Sequence, residues 1–152
     1  MTWGNPPKLE PAKPKPGKVI TPEDLAKTGT EDGHQAALFC WCAMSVDKYP
    51  QLKWIFAIPN GGSRHIAEAV KFVGTGTRAG VPDIFLPYAI QHDYEPALYH
   101  GLFIEMKVGK NKTSKEQNEY IEHLMEANYR CVVCYSWIEA KNAIIDYLEV
   151  EL

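Results

Sequence analysis

No run of apolar residues in the chain approaches the roughly 20 that a membrane-spanning helix needs, so a membrane-spanning class is set aside. The N-terminal stretch also lacks the apolar core of a secretory signal, and the expected location is the cytoplasm, with no membrane partner. Basic charge is scarce as well. Lys and Arg number 16 against 19 Asp and Glu, a formal net charge of −3, whereas proteins that hold nucleic acid through bulk charge are basic. Any grip on phosphate must come from local patches, and two are present: Lys107, Lys110, Lys112 and Lys115, and Arg64, Lys71 and Arg78. Cysteine is sparse and poorly spaced for a metal. Cys40 and Cys42 lie two apart on an expected helix, and Cys131 and Cys134 three apart on an expected strand, so each pair diverges. Free thiols are favoured over a zinc site. His34, His65, His92, His100 and His123 show no metal spacing either.

What is present fits one domain of ordinary size. The hydrophobic share of 45% and charged share of 23% in 152 residues are near globular averages and exclude a wholly disordered chain. Proline is concentrated at one end, with six of 11 in the first 22 residues, interleaved with lysine in PKLEPAKPKPGK. Residues 1–27 therefore read as a flexible Pro/Lys-rich arm and residues 28–152 as the folded domain.

From Thr30, an expected N-cap, EDGHQAALFCWCAMSVDKY carries apolar residues densely enough for a helix facing a core. Leu52, Trp54, Phe56 and Ile58 alternate as in a strand, ended by Pro59-Asn60-Gly61-Gly62. A short helix over Arg64 to Val73 and a loop with Gly74, Gly76 and Gly80 follow. Val81 to Leu86 and Leu102 to Lys107 then read as adjacent antiparallel strands. Thr113-Ser114-Lys115-Glu116 has the capping-box form and opens a helix with Tyr120, Ile121, Leu124 and Met125 as its apolar stripe. Arg130 to Tyr135 is β-rich. Ser136-Trp137-Ile138-Glu139, a second capping box, opens a last helix that buries Ala143, Ile144, Tyr147 and Leu148. The order is α-β-α-β-β-α-β-α, without internal repeat.

One constellation in this frame carries chemistry. Asp83 follows Pro82 at the head of one strand, and Glu105 and Lys107 stand two apart on the other, which gives them a common face. Charges inside an apolar strand are costly unless paired or metal-bound. Two readings follow. Glu105 and Lys107 form a half-exposed ion pair at a strand end, or Asp83 and Glu105 hold a hard cation such as Mg²⁺ or Mn²⁺ while Lys107 orients or helps deprotonate an attacking water.

The wider set of residues resembles the VRR-NUC domain, the virus-type replication-repair branch of the PD-(D/E)XK nucleases. The matching pieces are Glu31 with Gln35, Asn60-Gly61-Gly62 with Arg64, the run Arg78 to Asp83, Glu105-Met106-Lys107, and Ser114 with Gln117, over about residues 31 to 135. The resemblance implies an α/β, restriction-endonuclease-like αβββαβ core with a central mixed sheet flanked by helices. It further implies that Asp83, Glu105 and the main-chain carbonyl of Met106 ligate Mg²⁺ or Mn²⁺, that Lys107 serves the attacking water, that Gln117 reaches the same site, and that Glu31 approaches the metal directly or through water. Arg78, Arg64, Asn60 and Lys110 are the expected nucleic-acid contacts.

The expected activity is a structure-selective DNA endonuclease acting on branched or junction DNA. In family terms it resembles a homodimeric Holliday junction resolvase that needs no small-molecule cofactor. Two alternatives stay open: a non-catalytic DNA-binding module of the same fold, and an RNA-directed nuclease.

Overall fold

The computed structural model describes residues 17, 19–59, 74–91 and 98–149. A first short helix, α1 (Pro22–Ala26), lies within the stretch read as an arm. Thr21 caps it in a capping box with Asp24, Pro22 sits in its first turn with its fixed φ, and Leu25 and Ala26 pack against the core. Helix α2 (Glu31–Ser45) starts at Thr30 as expected, its hydroxyl accepting from Gly33 N–H at 3.0 Å. Gly33, Ala37, Leu38 and Cys42 form its buried stripe.

The expected strand from Leu52 to Ile58 is mostly something else. Residues Pro50–Trp54 wind into a 3₁₀ helix, and only Phe56–Ala57 form a strand, β1. Pro50 opens the turn, Leu52 is buried and Trp54 is 63% exposed, so the alternating pattern does not mark one sheet face. The expected helix over Arg64 to Val73 lies outside the described residues.

Strands β2 (Ile84–Leu86) and β5 (Leu102–Met106) are antiparallel neighbours, with Ile84 opposite Ile104 and Leu86 opposite Leu102. Between them the chain makes a separate two-stranded hairpin, β3 (Ile90–Gln91) with β4 (Leu98–Tyr99). Helix α3 (Lys115–Glu126) carries the chain from β5 to β6 (Arg130–Cys134), which runs parallel to β5. Helix α4 (Trp137–Leu148) follows. The main sheet has the order β1-β2-β5-β6, and α2, β1, β2, β5, α3 and β6 make the αβββαβ core.

Ile84, Leu86, Leu102, Ile104 and Met106, each fully buried, face α2 and α4, where Leu38, Cys42, Ala140, Ile144 and Tyr147 complete the core. Phe85 and Phe103 turn to the other face and stack at 4.2 Å, with Phe56 and Tyr129 edge-on to Phe85. Their ring pairing covers a face that strand alternation alone would leave open to water. Helix α3 buries Leu124 there and half-buries Tyr120 and Ile121, but Met125, expected in the same stripe, is 57% exposed.

Candidate active site

Asp83 stands one residue before β2, directly after the buried Pro82. Its carbonyl accepts from Ile58 N–H at 2.7 Å, and its Oδ2 accepts from Met106 N–H at 2.8 Å. Continuing the β2–β5 register by one residue sets Asp83 opposite Glu105. The two carboxylates therefore meet across adjacent strands where the sheet frays.

Glu105 is 1% exposed and Lys107 6% exposed, so the half-exposed ion pair is not what forms. Instead, Lys107 Nζ donates to Glu105 Oε1 at 2.6 Å inside the protein. Strand pairing fixes this geometry, because Lys107 N–H donates to the Cys134 carbonyl at 2.9 Å and extends the β5–β6 ladder by one residue. Lys107 is thus removed from the basic surface patch in which the sequence placed it; Lys110, Lys112 and Lys115 remain exposed in the turn and helix start that follow.

The first turn of α3 closes the site. Its N-cap is Ser114 rather than Thr113, and the box partner is Gln117 rather than Glu116. Thr113 bonds Asn118 instead, at 2.6 Å. The shift by one residue gives Gln117 two tasks. Its Oε1 accepts from Ser114 N–H at 2.8 Å, and its Nε2 donates to Glu105 Oε1. Ser136, by contrast, caps α4 as expected, yet Glu139 accepts from Tyr135 N–H rather than returning to Ser136.

Gly80 sets the distance between the Asp83 segment and α3. Its φ is +89°, a conformation that L side chains avoid, and a Cβ there would lie 2.5 Å from the Glu116 carbonyl oxygen. Glu31, in the first turn of α2, approaches from the opposite side. Its Oε1 accepts from Asn111 Nδ2 at 3.1 Å, and its charge is felt by both Glu105 and Lys107. Asn111 escaped the sequence reading, since a polar residue in a turn after Gly109 carries no distinguishing signal.

Burial, reinforced by the charges of Asp83 and Glu31, pushes the Glu105 carboxyl up to about 7 against the opposing pull of Lys107. For Lys107, burial works against the ammonium, but the bond to Glu105 and the surrounding carboxylates outweigh it and raise its pKa. Glu105 Oε1 is held twice, whereas Oε2 is buried without a hydrogen-bond partner. An ionised oxygen in that state calls for a cation. Among the described residues no cluster of three or more His, Cys, Asp or Glu side chains is poised for a metal. The donor set that fits is accordingly two carboxylates with backbone oxygen and water, as Mg²⁺ accepts.

Arg78 is exposed on the loop before Gly80, and Lys110 is exposed after β5; Arg64 and Asn60 lie outside the described residues. All four cysteines are free thiols, with Cys42 and Cys134 buried and Cys40 and Cys131 half-buried. No helix among the described residues is long and apolar enough to cross a membrane.

No curated protein matches the sequence at a significant level. A solved structure described as a VRR_NUC domain protein is similar in sequence and shape: 30% identity, a TM-score of 0.63, and coverage of 80% of this chain and 89% of that one. The family model of the VRR-NUC domain matches residues 30–137, which include α2, the whole main sheet and every side chain of the Asp83–Glu105–Lys107–Gln117 cluster. The chain belongs to the VRR-NUC domain family and has its nuclease-type α/β fold.

Proposed function

We propose that the domain is a divalent-metal-dependent, structure-selective endonuclease that hydrolyses phosphodiester bonds in DNA. The observation that carries this reading is the buried Glu105 carboxylate, one oxygen fixed by Lys107 and Gln117 and the other without a partner, set across the strands from Asp83. Asp83, Glu105 and the Met106 carbonyl would hold Mg²⁺ or Mn²⁺, and of the two routes expected for Glu31, direct or through water, the two-carboxylate donor set leaves the one through water. When bound, such an ion polarises a phosphate and neutralises the charge that develops on it.

The side chains do the remaining work by placement. In the chain alone, burial works against the Lys107 ammonium, but the bond to Glu105 and the surrounding carboxylates raise its pKa. As an ammonium it would donate hydrogen bonds that orient the attacking water and stabilise developing negative charge, and once deprotonated beside the cation it would help to take that water's proton. Gln117 positions Glu105. Arg78, Arg64, Lys110 and Asn60 would contact the phosphate backbone, which sets register without reading bases. That division suits recognition of branched or junction DNA by shape.

A homodimer acting as a Holliday junction resolvase is part of the proposal, with two centres related by a two-fold axis for symmetric incision. It is supported by β6, an edge strand of the described sheet whose Val133 is exposed. A cytoplasmic location goes with it, supported by four cysteines that all stand as thiols.

The deciding experiment is cleavage of labelled single-stranded, duplex, flapped and four-way-junction DNA, with matched RNA, in Mg²⁺, Mn²⁺ or EDTA. Light scattering of the free and DNA-bound protein accompanies it. Metal-dependent cutting that falls roughly a hundredfold or more in Lys107→Ala, with binding retained, is expected. Binding without cutting would instead identify a recognition module, preferential cutting of RNA would reassign the substrate, and a monomer on and off DNA would remove the resolvase.

A further inference from the structure

A cavity of about 310 Å³ is lined by Ile58, Thr77, Arg78, Val81 and Tyr120 among others, residues that flank the carboxylate cluster along the chain. Its walls are tied to the centre by the chain itself. Ile58 N–H is bonded to the Asp83 carbonyl, Val81 precedes Asp83 by two residues, and Tyr120 lies one turn beyond Gln117 on α3. The pinch of Gly80 against Glu116 holds the two sides together. The volume is at the lower limit for a small-ligand site, enough for one ring system and its sugar. Its lining is divided: an aromatic and aliphatic wall from Tyr120, Ile58 and Val81, and a polar rim from Thr77 and the exposed Arg78. Gly76, at φ +100°, turns the rim segment back on itself in a conformation that side chains resist.

An aromatic wall with a guanidinium at its mouth matches an unstacked nucleobase and the phosphate attached to it. We propose that this cavity is a subsite for one unpaired nucleotide next to the scissile bond, with Tyr120 as the stacking surface for its base and Arg78 at its phosphate. The inference rests on the nucleic-acid reading of the neighbouring centre. It gives selectivity for branched DNA a physical source: a base already freed at a branch pays no unstacking cost to enter, whereas a duplex base does.

The test uses the full chain in EDTA, where nothing is cut, with splayed-arm DNA carrying 2-aminopurine at one unpaired nucleotide, walked along the strand from the branch. One position is expected to change fluorescence on binding. Tyr120→Ala removes that change and weakens binding roughly tenfold, while Tyr120→Phe, which keeps the ring, retains it. An abasic nucleotide at the same position weakens wild-type binding to the same extent, and Tyr120→Ala adds no further loss on it. Thermal unfolding of each variant shows that α3 is intact. Equal loss on intact and abasic DNA, or a fluorescence change that survives Tyr120→Ala, overturns the subsite. Because these readouts need no cleavage, absence of cutting in Mg²⁺ and Mn²⁺ overturns only the enzyme reading.

Discussion

Gln117 serves two neighbours with one amide, and substitution can separate the two services. Gln117→Ala removes both the capping-box acceptor and the donor to Glu105; helix-start losses of this kind cost about 1 kcal/mol, which urea unfolding will register. Gln117→Glu keeps an acceptor for Ser114 N–H but replaces the donor with a third carboxylate beside Glu105. We expect this variant to retain the helix start and to shift its pH–cleavage profile to higher pH, because the added charge favours protonated Glu105. An unshifted profile would restrict Gln117 to capping.

Glu105 itself links pH to stability. Its carboxyl is raised in the fold from the ordinary 4.5 to about 7, mainly by burial, so the folded chain binds a proton that the unfolded chain releases. Stability in EDTA must then fall as pH rises from about 4.5 to about 7, where the cost of the buried charge is fully present. Glu105→Gln, which does not titrate, should lose that part of the slope. Thermal midpoints of the two proteins across this window check the sign: equal slopes would mean that Glu105 ionises normally.

At the scale of elements, the site depends on where the Asp83 segment meets the first turn of α3. Gly80→Ala combines a strained φ with a Cβ driven against the Glu116 carbonyl, which belongs to backbone that cannot rotate away. A cost of about 1–3 kcal/mol in denaturant unfolding is expected, with a larger proportional loss of cleavage, since α3 must move and take Gln117 from Glu105. A stability loss without extra loss of activity would show that α3 is not held by this contact.

Some of this was legible in sequence. The two-residue spacing of Glu105 and Lys107 in an apolar strand showed a common face, because strand periodicity leaves no other arrangement. What it could not show was that both are buried, since burial depends on α3 and the Phe85–Phe103 stack on that face. The 3₁₀ helix at Pro50–Trp54 was missed because Leu52, Trp54 and Phe56 satisfy a strand pattern while the turn at Pro50 overrides it. The opposite error hid α1: Thr21 and Asp24 form a capping box in the sequence, but it follows directly on a proline-rich run that reads as arm.

For the whole molecule, the fold places like charges close together and leaves the cost to be met from outside. The charges of Asp83 and Glu31 both bear on the buried Glu105, Lys107 supplies one positive charge against them, and Glu105 Oε2 has no donor. The order of strands and helices was readable because each element carries its own periodicity, whereas this shared deficit arises only when α2, β2, β5 and α3 converge. A divalent cation that binds the folded chain and not the unfolded one would stabilise the entire domain, by ~2.7 kcal/mol at roughly a hundredfold excess over its Kd. Thermal unfolding is therefore expected to move upward with Mg²⁺ or Mn²⁺, more strongly above about pH 7, where Glu105 is ionised before the ion arrives. Asp83→Asn and Glu105→Gln should each suppress the shift, whereas Lys115→Ala, at the exposed start of α3, should leave it intact. A shift that persists in both carboxylate variants would place the ion elsewhere on the molecule, and no shift in the wild type would leave the buried carboxylate to Lys107 and Gln117 alone.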